Sequence, residues 1–512
     1  MVKKKSSSGV ERKVADLIAQ FRDGYVSGDM TIEQAEEIVD QLYDFPDEAL
    51  SQSLALLDAS DEEMHLVGLQ LLHELDDERA VKPLRRMLRR SQYSDEEKMA
   101  IIHVLDELGS PIDDQTFQRV ISDPDALMQR SLERLLTTIE DPAQVDGFLH
   151  AMEEGPAELQ EQYVSEVLAP LGDARLLLLL VALLHADQDS VVLTAIEGLE
   201  RLKEPMLVPL LEERAEYDPS RTVRHAAGNA ALRLRTRFGV SDQDRGEQPP
   251  PWIVPMSLPL VYCALSLIDG SGGQVLFLAR ELPQGNLRVV DWMFNDHEGI
   301  KDCFSVIVDE DELQEMEDSF TSLEFVDVEL EHARAAVAAA YQTTLDAHRR
   351  LPPSSMVWQG WLEGTDPQPP EVFPLPVLEP ARQEALLSEC GQLLDLDSFE
   401  YWFFNPDEVA PFLSEYRRLL RRNQVEPGSK PFEALITRVV EAALSEKYPY
   451  RRTMPDRLRR QAWLLRQLYD EQDGTELALW ALAAAEAMEA GVIVEHPLLR
   501  DMAVYSLNNA NT

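Results

Sequence analysis

The residue types best suited to chemistry crowd into Asn295–Gly299, where Asp296, His297 and Glu298 stand side by side just after Trp292 and Phe294. A histidine between carboxylates can ligate a metal ion or act as a general base. Consecutive residues on a turn point in different directions, and no second ligand set follows at a recognisable spacing. The segment therefore reads first as a polar hairpin turn, with an enzyme or ligand-binding module centred on it held as a second alternative. Asp269–Gly273 has the glycines of a phosphate cradle, but it lacks the Lys-Ser/Thr of a P-loop and the GxGxxG spacing, and it joins two expected strands. The acidic run Asp309–Glu312 lacks the glycine and the glutamate that a calcium loop requires and reads as a solvated helix N-terminus. Cys263, Cys303 and Cys390 form no CxxC pair, which fits a reducing cytoplasm. With no nucleophile elbow and no HExxH, no catalytic residue, metal or cofactor is expected.

Charge singles out a different region. The 512 residues carry 47 Lys+Arg against 93 Asp+Glu, a net charge of −46, which disfavours nucleic acid and anionic membranes unless positive charge is concentrated locally. It is concentrated from Arg417 to Arg466, where 13 basic residues face 5 acidic ones. Arg417, Arg418, Arg421, Arg422, Arg451, Arg452, Arg457, Arg459 and Arg460 are the candidate interaction residues there, and Arg224 is one in a smaller basic run. Arginine grips carboxylate or phosphate bidentately, and Tyr448, Tyr450 and Trp463 are of the type that stacks on bases. The first expectation is pairing with carboxylates of this chain or of a partner protein. Nucleic acid is the alternative, opposed by a charge of −54 over the rest of the chain.

The elements that must position these residues are mostly helical. Val10–Phe21 and Ile32–Tyr43 read as amphipathic helices, the second with a Thr31/Gln34 capping box, and Met1–Gly9 as a frayed, solvated tail without the apolar core of a signal peptide. The longest apolar runs, Leu176–Leu184 and Leu477–Ala485, are 9 residues each, against the roughly 20 needed to cross a bilayer, so no membrane segment is expected. Within 49–238 the text repeats. Segments opening at Asp61, Asp95, Asp123, Ala157, Asp187 and Asp218 are spaced by 34, 28, 34, 30 and 31 residues, the length of one helical hairpin in a stacked array. In the last copy an acidic cap precedes Val223-Arg224, the small residues Ala227, Ala230 and Ala231, and Leu232.

That pattern resembles the HEAT-like repeat, in the short form of phycobilisome-lyase-type repeat proteins. The resemblance implies an α-solenoid whose curved surface binds another protein. It also raises the di-iron chemistry of deoxyhypusine hydroxylase, which uses His-Glu pairs on opposing repeats. Here the matching position reads His225-Ala226, and His73-Glu74 is the only such pair in the repeats, so that chemistry is not expected.

After a Pro-rich linker at 239–256, apolar segments Leu258–Ile268, Gln274–Ala279 and Leu287–Phe294 alternate with glycine-containing turns, which predicts an antiparallel meander. Cys303–Val308 and Leu323–Val328 are further strand candidates. Glu310–Phe320 and Glu329–Arg349 read as helices. Prolines across 351–380 predict an extended connector pinned by Trp358 and Trp361, and 381–512 reads as a helical domain, clearest in Phe432–Leu444, Leu458–Tyr469 and Leu477–Ala490. The expected fold is thus mainly α: residues 1–48 as N-terminal tail and short helices, a HEAT-like solenoid (49–238), an α+β module (257–350) and a C-terminal helical domain (381–512). The expected function is a cytoplasmic, non-catalytic scaffold or adaptor for another protein.

Overall fold

The computed structural model describes residues 3–27, 30, 32–59, 61–239, 258–283, 285–319, 324–362, 373–426, 428–445 and 450–510. The expected linker beyond Gly239, Thr31 of the expected capping box, Tyr448 and the middle of the proline-rich stretch lie outside them. The chain divides into two compact units, Met1–Leu135 and Leu136–Thr512.

The first unit is built from α1 (Lys3–Ser27), α2 (Ile32–Tyr43), α3 (Pro46–Leu56), α4 (Glu62–Glu74), α5 (Val81–Met87), α6 (Asp95–Glu107), α7 (Asp114–Val120) and the start of α8 (Pro124–Thr138). The backbone of residues 3–9, expected to fray, continues α1; lysine and serine carry only small helix penalties. Val14, Phe21, Leu42, Val67 and Leu71 form one core, and Leu57, Leu72, Leu84, Tyr93 and Leu105 a second. Side chains at the openings of the copies cap helices. Asp61 accepts from the Glu63 N–H, and Ser94 with Glu97 closes a reciprocal capping box on α6. His65 ties α4 to α6, with Nδ1 paired to the Glu97 carboxylate and Nε2 2.8 Å from the Ala59 carbonyl.

The second unit opens with α9 (Pro142–Glu154), α10 (Ala157–Tyr163), α11 (Ala169–Leu171), α12 (Leu177–Leu183), α13 (Asp189–Leu202), α14 (Leu207–Tyr217) and α15 (Arg221–Phe238). α12 pairs with α13 and α14 with α15, and α10, α13 and α15 stack in turn. The repeat interval is written into the hydrogen bonds: Arg233 grips Glu200 from 33 residues away, and Ser220 donates to Asp189 from 31 away. A buried side holds Val191, Ile196, Leu211, Val223 and Ala227. Small residues at the crossings admit the close approach that stacking needs.

A five-stranded antiparallel sheet follows, in the order β4-β3-β2-β1-β5. Its strands are β1 (Leu260–Ser266), β2 (Gly273–Glu281), β3 (Leu287–Asn295), β4 (Gly299–Val308) and β5 (Phe325–Asp327), with α16 (Glu310–Ser319) between the last two and α17 (Leu330–Asp346) after them. The expected strands and helices all appear. β2 is buried on nearly every residue rather than alternately, because the sheet is covered on both faces. Val275, Phe277, Val289 and Leu313 form one core, while α17 packs on β1, β3 and β4.

The expected extended connector begins instead as a helix, α18 (Pro353–Trp358), continued by a tight turn over Gln359–Leu362. Pro352 and Pro353 sit before and at its first turn, where the missing N–H costs nothing. Trp358 and Trp361 are fully enclosed; Arg280 donates to the carbonyl of Trp361 and Arg334 to that of Leu362. The remaining helices are α19 (Gln383–Glu389), α20 (Pro406–Leu420), α21 (Lys430–Ala443), α22 (Tyr450–Leu468), α23 (Glu471–Glu489) and α24 (Pro497–Asn509). They enclose a core that includes Phe399, Leu435, Leu458, Ala481 and Met502.

Candidate functional site

The repeat helices α9–α15 present two surfaces of different fate. One is occupied by the chain itself. Arg350, on the segment between α17 and α18, reaches the ends of two successive repeats: its Nη2 lies 2.6 Å from Asp189, its Nε 3.0 Å from Asp218, and its Nη1 2.9 Å from the carbonyls of Ala186 and Asp187. Asp218 is completely buried. The Leu351 N–H points at His185 Nδ1, and α18 then packs against α9 and α12. Burial first, then the charges of Arg214 and Arg350, hold His185 well below its ordinary pKa, so it is a neutral acceptor here. Asp189 and Asp218, at the openings of two successive repeats, thus serve as a socket for one arginine.

The other surface is open. α9, α10 and the turn Val164–Leu168 border a groove of about 520 Å³ lined by Phe148, Met152, Leu159, Tyr163 and Val167. Pro156 separates α9 from α10 and ends the first helix's line. The Val164–Leu168 turn is wound as a π-helix, whose extra residue rotates the following side chains and which recurs at functional sites. Leu159 is 58 % exposed. Burial pushes the Tyr163 hydroxyl up from its ordinary value, as expected beside an apolar wall. α9 is tied to the sheet by Ser305, which donates to Asp146 at 3.2 Å.

The arginines chosen from sequence divide into three groups. Arg417, Arg418, Arg421 and Arg422 are exposed at the end of α20, and Arg451 and Arg452 are exposed at the start of α22. α21 lies between these groups in sequence, and its 14 residues span roughly 21 Å. Arg457, Arg459 and Arg460 point elsewhere. Arg459 pairs with Glu489. Arg457 is fully buried, with Nε 2.7 Å and Nη2 3.0 Å from the two oxygens of Asp296, Nη2 3.1 Å from the Ser271 carbonyl, and Nη1 on the Gly270 carbonyl. Arg460 adds a contact of 3.3 Å to Asp296. Arg224 caps its own turn, donating to the carbonyls of Asp218 and Pro219.

Both loops weighed for chemistry therefore meet one arginine. A Cβ at Gly270 would strike the Tyr401 carbonyl, and Gly272, at φ +91°, has Asp296 and Arg457 where a side chain would go. The Asp269–Gly273 glycines allow this approach. Burial would raise the Asp296 carboxyl, but hydrogen bonds to His297 and Arg457 and the charges of Arg457 and Arg460 hold it below its ordinary value. Trp402 Nε1 donates to the Ile268 carbonyl and Gln461 accepts from the Ile268 N–H, both at 2.9 Å, so the C-terminal helices are clamped onto the end of β1.

Among the described residues, no cluster of three or more His, Cys, Asp or Glu could hold a metal ion, and no helix is long and apolar enough to cross a membrane. The three cysteines are free and buried; burial pushes Cys390 up to about 11 and Cys263 up to about 12. The groove on α9 and α10 was missed by sequence reasoning. Its only signals were Leu159 on a polar helix and a run from Pro142 to Ala174 without a lysine or arginine.

Residues 145–232, from within α9 to within α15, match the family of HEAT repeats. No curated protein matches the chain. The helix pairs of this segment are HEAT repeats, a unit that generally presents extended surfaces to other proteins.

Proposed function

We propose that the protein is a non-catalytic scaffold or adaptor that holds another protein on its HEAT-repeat segment. The observation that carries this reading is an open apolar groove lying within the segment that matches HEAT repeats. Exposed apolar side chains bordered by carboxylates are a common mark of a binding surface. The buried arginine contacts fit a supporting role: Arg350 and Arg457 hold the repeats, sheet and C-terminal helices as a rigid platform, so a bound protein would meet a preformed surface. The nucleic-acid alternative draws less support, because Arg457, Arg459 and Arg460 already pair with carboxylates of the same chain.

Affinity capture with full-length protein, compared with a variant carrying Phe148→Glu and Val167→Glu, tests the scaffold reading. A partner lost from the variant, and mapped to residues 142–238 by cross-linking, is the expected result. Partners retained equally by both proteins and cross-linked only elsewhere would overturn it.

A further inference from the structure

From the groove's chemistry we infer the kind of partner it takes: a basic amphipathic helix that lays an apolar stripe on Met152, Leu159 and Tyr163 while its lysines or arginines meet the acidic rim. The inference rests on the scaffold reading and gives it a partner chemistry. From Pro142 to Ala174 the sequence has seven carboxylates and neither lysine nor arginine. Glu166 lines the groove, and Glu154 and Glu161 are exposed on the helices that border it. The one titratable base in this stretch, His150, faces Asp146, Glu153 and Asp302, so it does not reverse the sign of the rim.

An apolar floor with a single-sign rim is selective in two ways. The floor rewards a partner whose apolar residues recur at i, i+3, i+4 and i+7, as in other helix-in-groove complexes. The rim repels acidic partners and speeds the encounter with basic ones. A hydrophobic side chain such as that of Leu159, left 58 % exposed, gains from cover, because apolar area removed from water is stabilising. The π-wound turn at Val164–Leu168 places Glu166 and Val167 together on the same wall, so one turn supplies both floor and rim.

The test uses full-length protein and three labelled peptides of roughly 16 residues, which span about 24 Å as helices. The first has leucine at helical spacing and lysine elsewhere, the second the same composition scrambled, and the third glutamate in place of lysine. Fluorescence anisotropy at about 0.15 M salt, where screening limits long-range attraction to roughly 8 Å, should show one first peptide bound per chain. Its affinity should exceed that of the scrambled peptide at least tenfold, with no binding of the third. Leu159→Asp and Glu166→Lys should each weaken it about tenfold; both sites are exposed, and circular dichroism confirms that the variants fold. A photo-cross-linking leucine in the peptide should mark residues 148–167. Equal binding of the scrambled peptide would reduce the effect to bulk attraction by a chain of net charge −46 and overturn the inference. Unchanged binding by the variants, or cross-links confined to other residues, would do the same. A natural partner found on the repeats away from the groove would refute the groove and leave the scaffold reading standing. Peptide binding at the groove without any partner that depends on residues 142–238 would do the reverse.

Discussion

Replacing Arg457 by alanine would leave Asp296 buried with its main counter-charge gone. Both side chains are at most 7 % exposed, and the substitution also strips the Gly270 and Ser271 carbonyls of a donor. Removing one partner of a buried pair typically costs about 3–5 kcal/mol. Arg460, at 3.3 Å but 36 % exposed, compensates in part, which places the expected loss near the lower end, about 3 kcal/mol. The pH dependence supplies an internal control. In the native protein Asp296 titrates below its ordinary 3.8, so the pair's stabilisation is present above that value and is lost as pH falls through the folded one. Without Arg457, burial dominates and the carboxyl protonates more readily. The deficit of the variant should therefore be full at pH 7 and shrink as pH falls toward 4. All seven tryptophans lie beyond residue 135, so tryptophan fluorescence during urea unfolding reports on the Leu136–Thr512 unit alone. Asp296→Asn and the double variant complete a cycle that isolates the coupling. A loss under about 1 kcal/mol at pH 7, a deficit that is unchanged at pH 4, or a coupling near zero would each refute the reasoning, since a desolvated charge pair cannot behave in those ways.

Arg350→Ala should destabilise the same unit by about 3 kcal/mol, because Asp218 has no exposure through which water could replace the guanidinium; hydrogen exchange should accelerate at residues 185–189 and 217–221. Asp291 is raised to about 7 by burial against an ordinary 3.8. The unfolded chain then ionises first as pH rises from 4 to 7, so the native state loses stability across that window. Asp291→Asn should accordingly raise the unfolding midpoint at pH 8 and change little at pH 4, measured by the same fluorescence. In the first unit, burial lowers His65 but Glu97 and the Ala59 carbonyl raise it on balance above 6.5. Its contribution is complete below pH 6.5 and fades as pH rises through the folded value, so amides of α4 and α6 should lose protection as pH rises beyond 6.5, and His65→Gln should abolish that dependence in hydrogen-exchange mass spectrometry.

Much of the architecture was legible in local pattern. The spacing of segments opening at Asp61, Asp95, Asp123, Ala157, Asp187 and Asp218 predicted the repeated helices, because capping and apolar periodicity act within a few residues of chain. The strands were equally plain, since glycine-bearing turns at 269–273 and 283–286 bracket the apolar runs. Two features were not readable in this way. Prolines at 352 and 353 suggested an extended connector, but at a helix start they are tolerated, and burial of Trp358 and Trp361 then decided for α18. The arginine run read as one region, yet helix geometry separates Arg422 from Arg451 and turns Arg457 inward.

The repeat interval, the meander and the charge imbalance follow from short-range periodicity or composition and are plain in the chain before it folds. Which charges are held inside the molecule and which remain outside is set by tertiary packing. Arg350 reaches Asp189 from 161 residues away, and Arg457 reaches Asp296 from the same distance. Pairings at that range depend on how layers stack, and no local signal encodes them. The groove on α9 and α10 is likewise a product of stacking: its floor is apolar in sequence like any helix face, and it stays open only because α18 and the sheet pack against other parts of the same repeats.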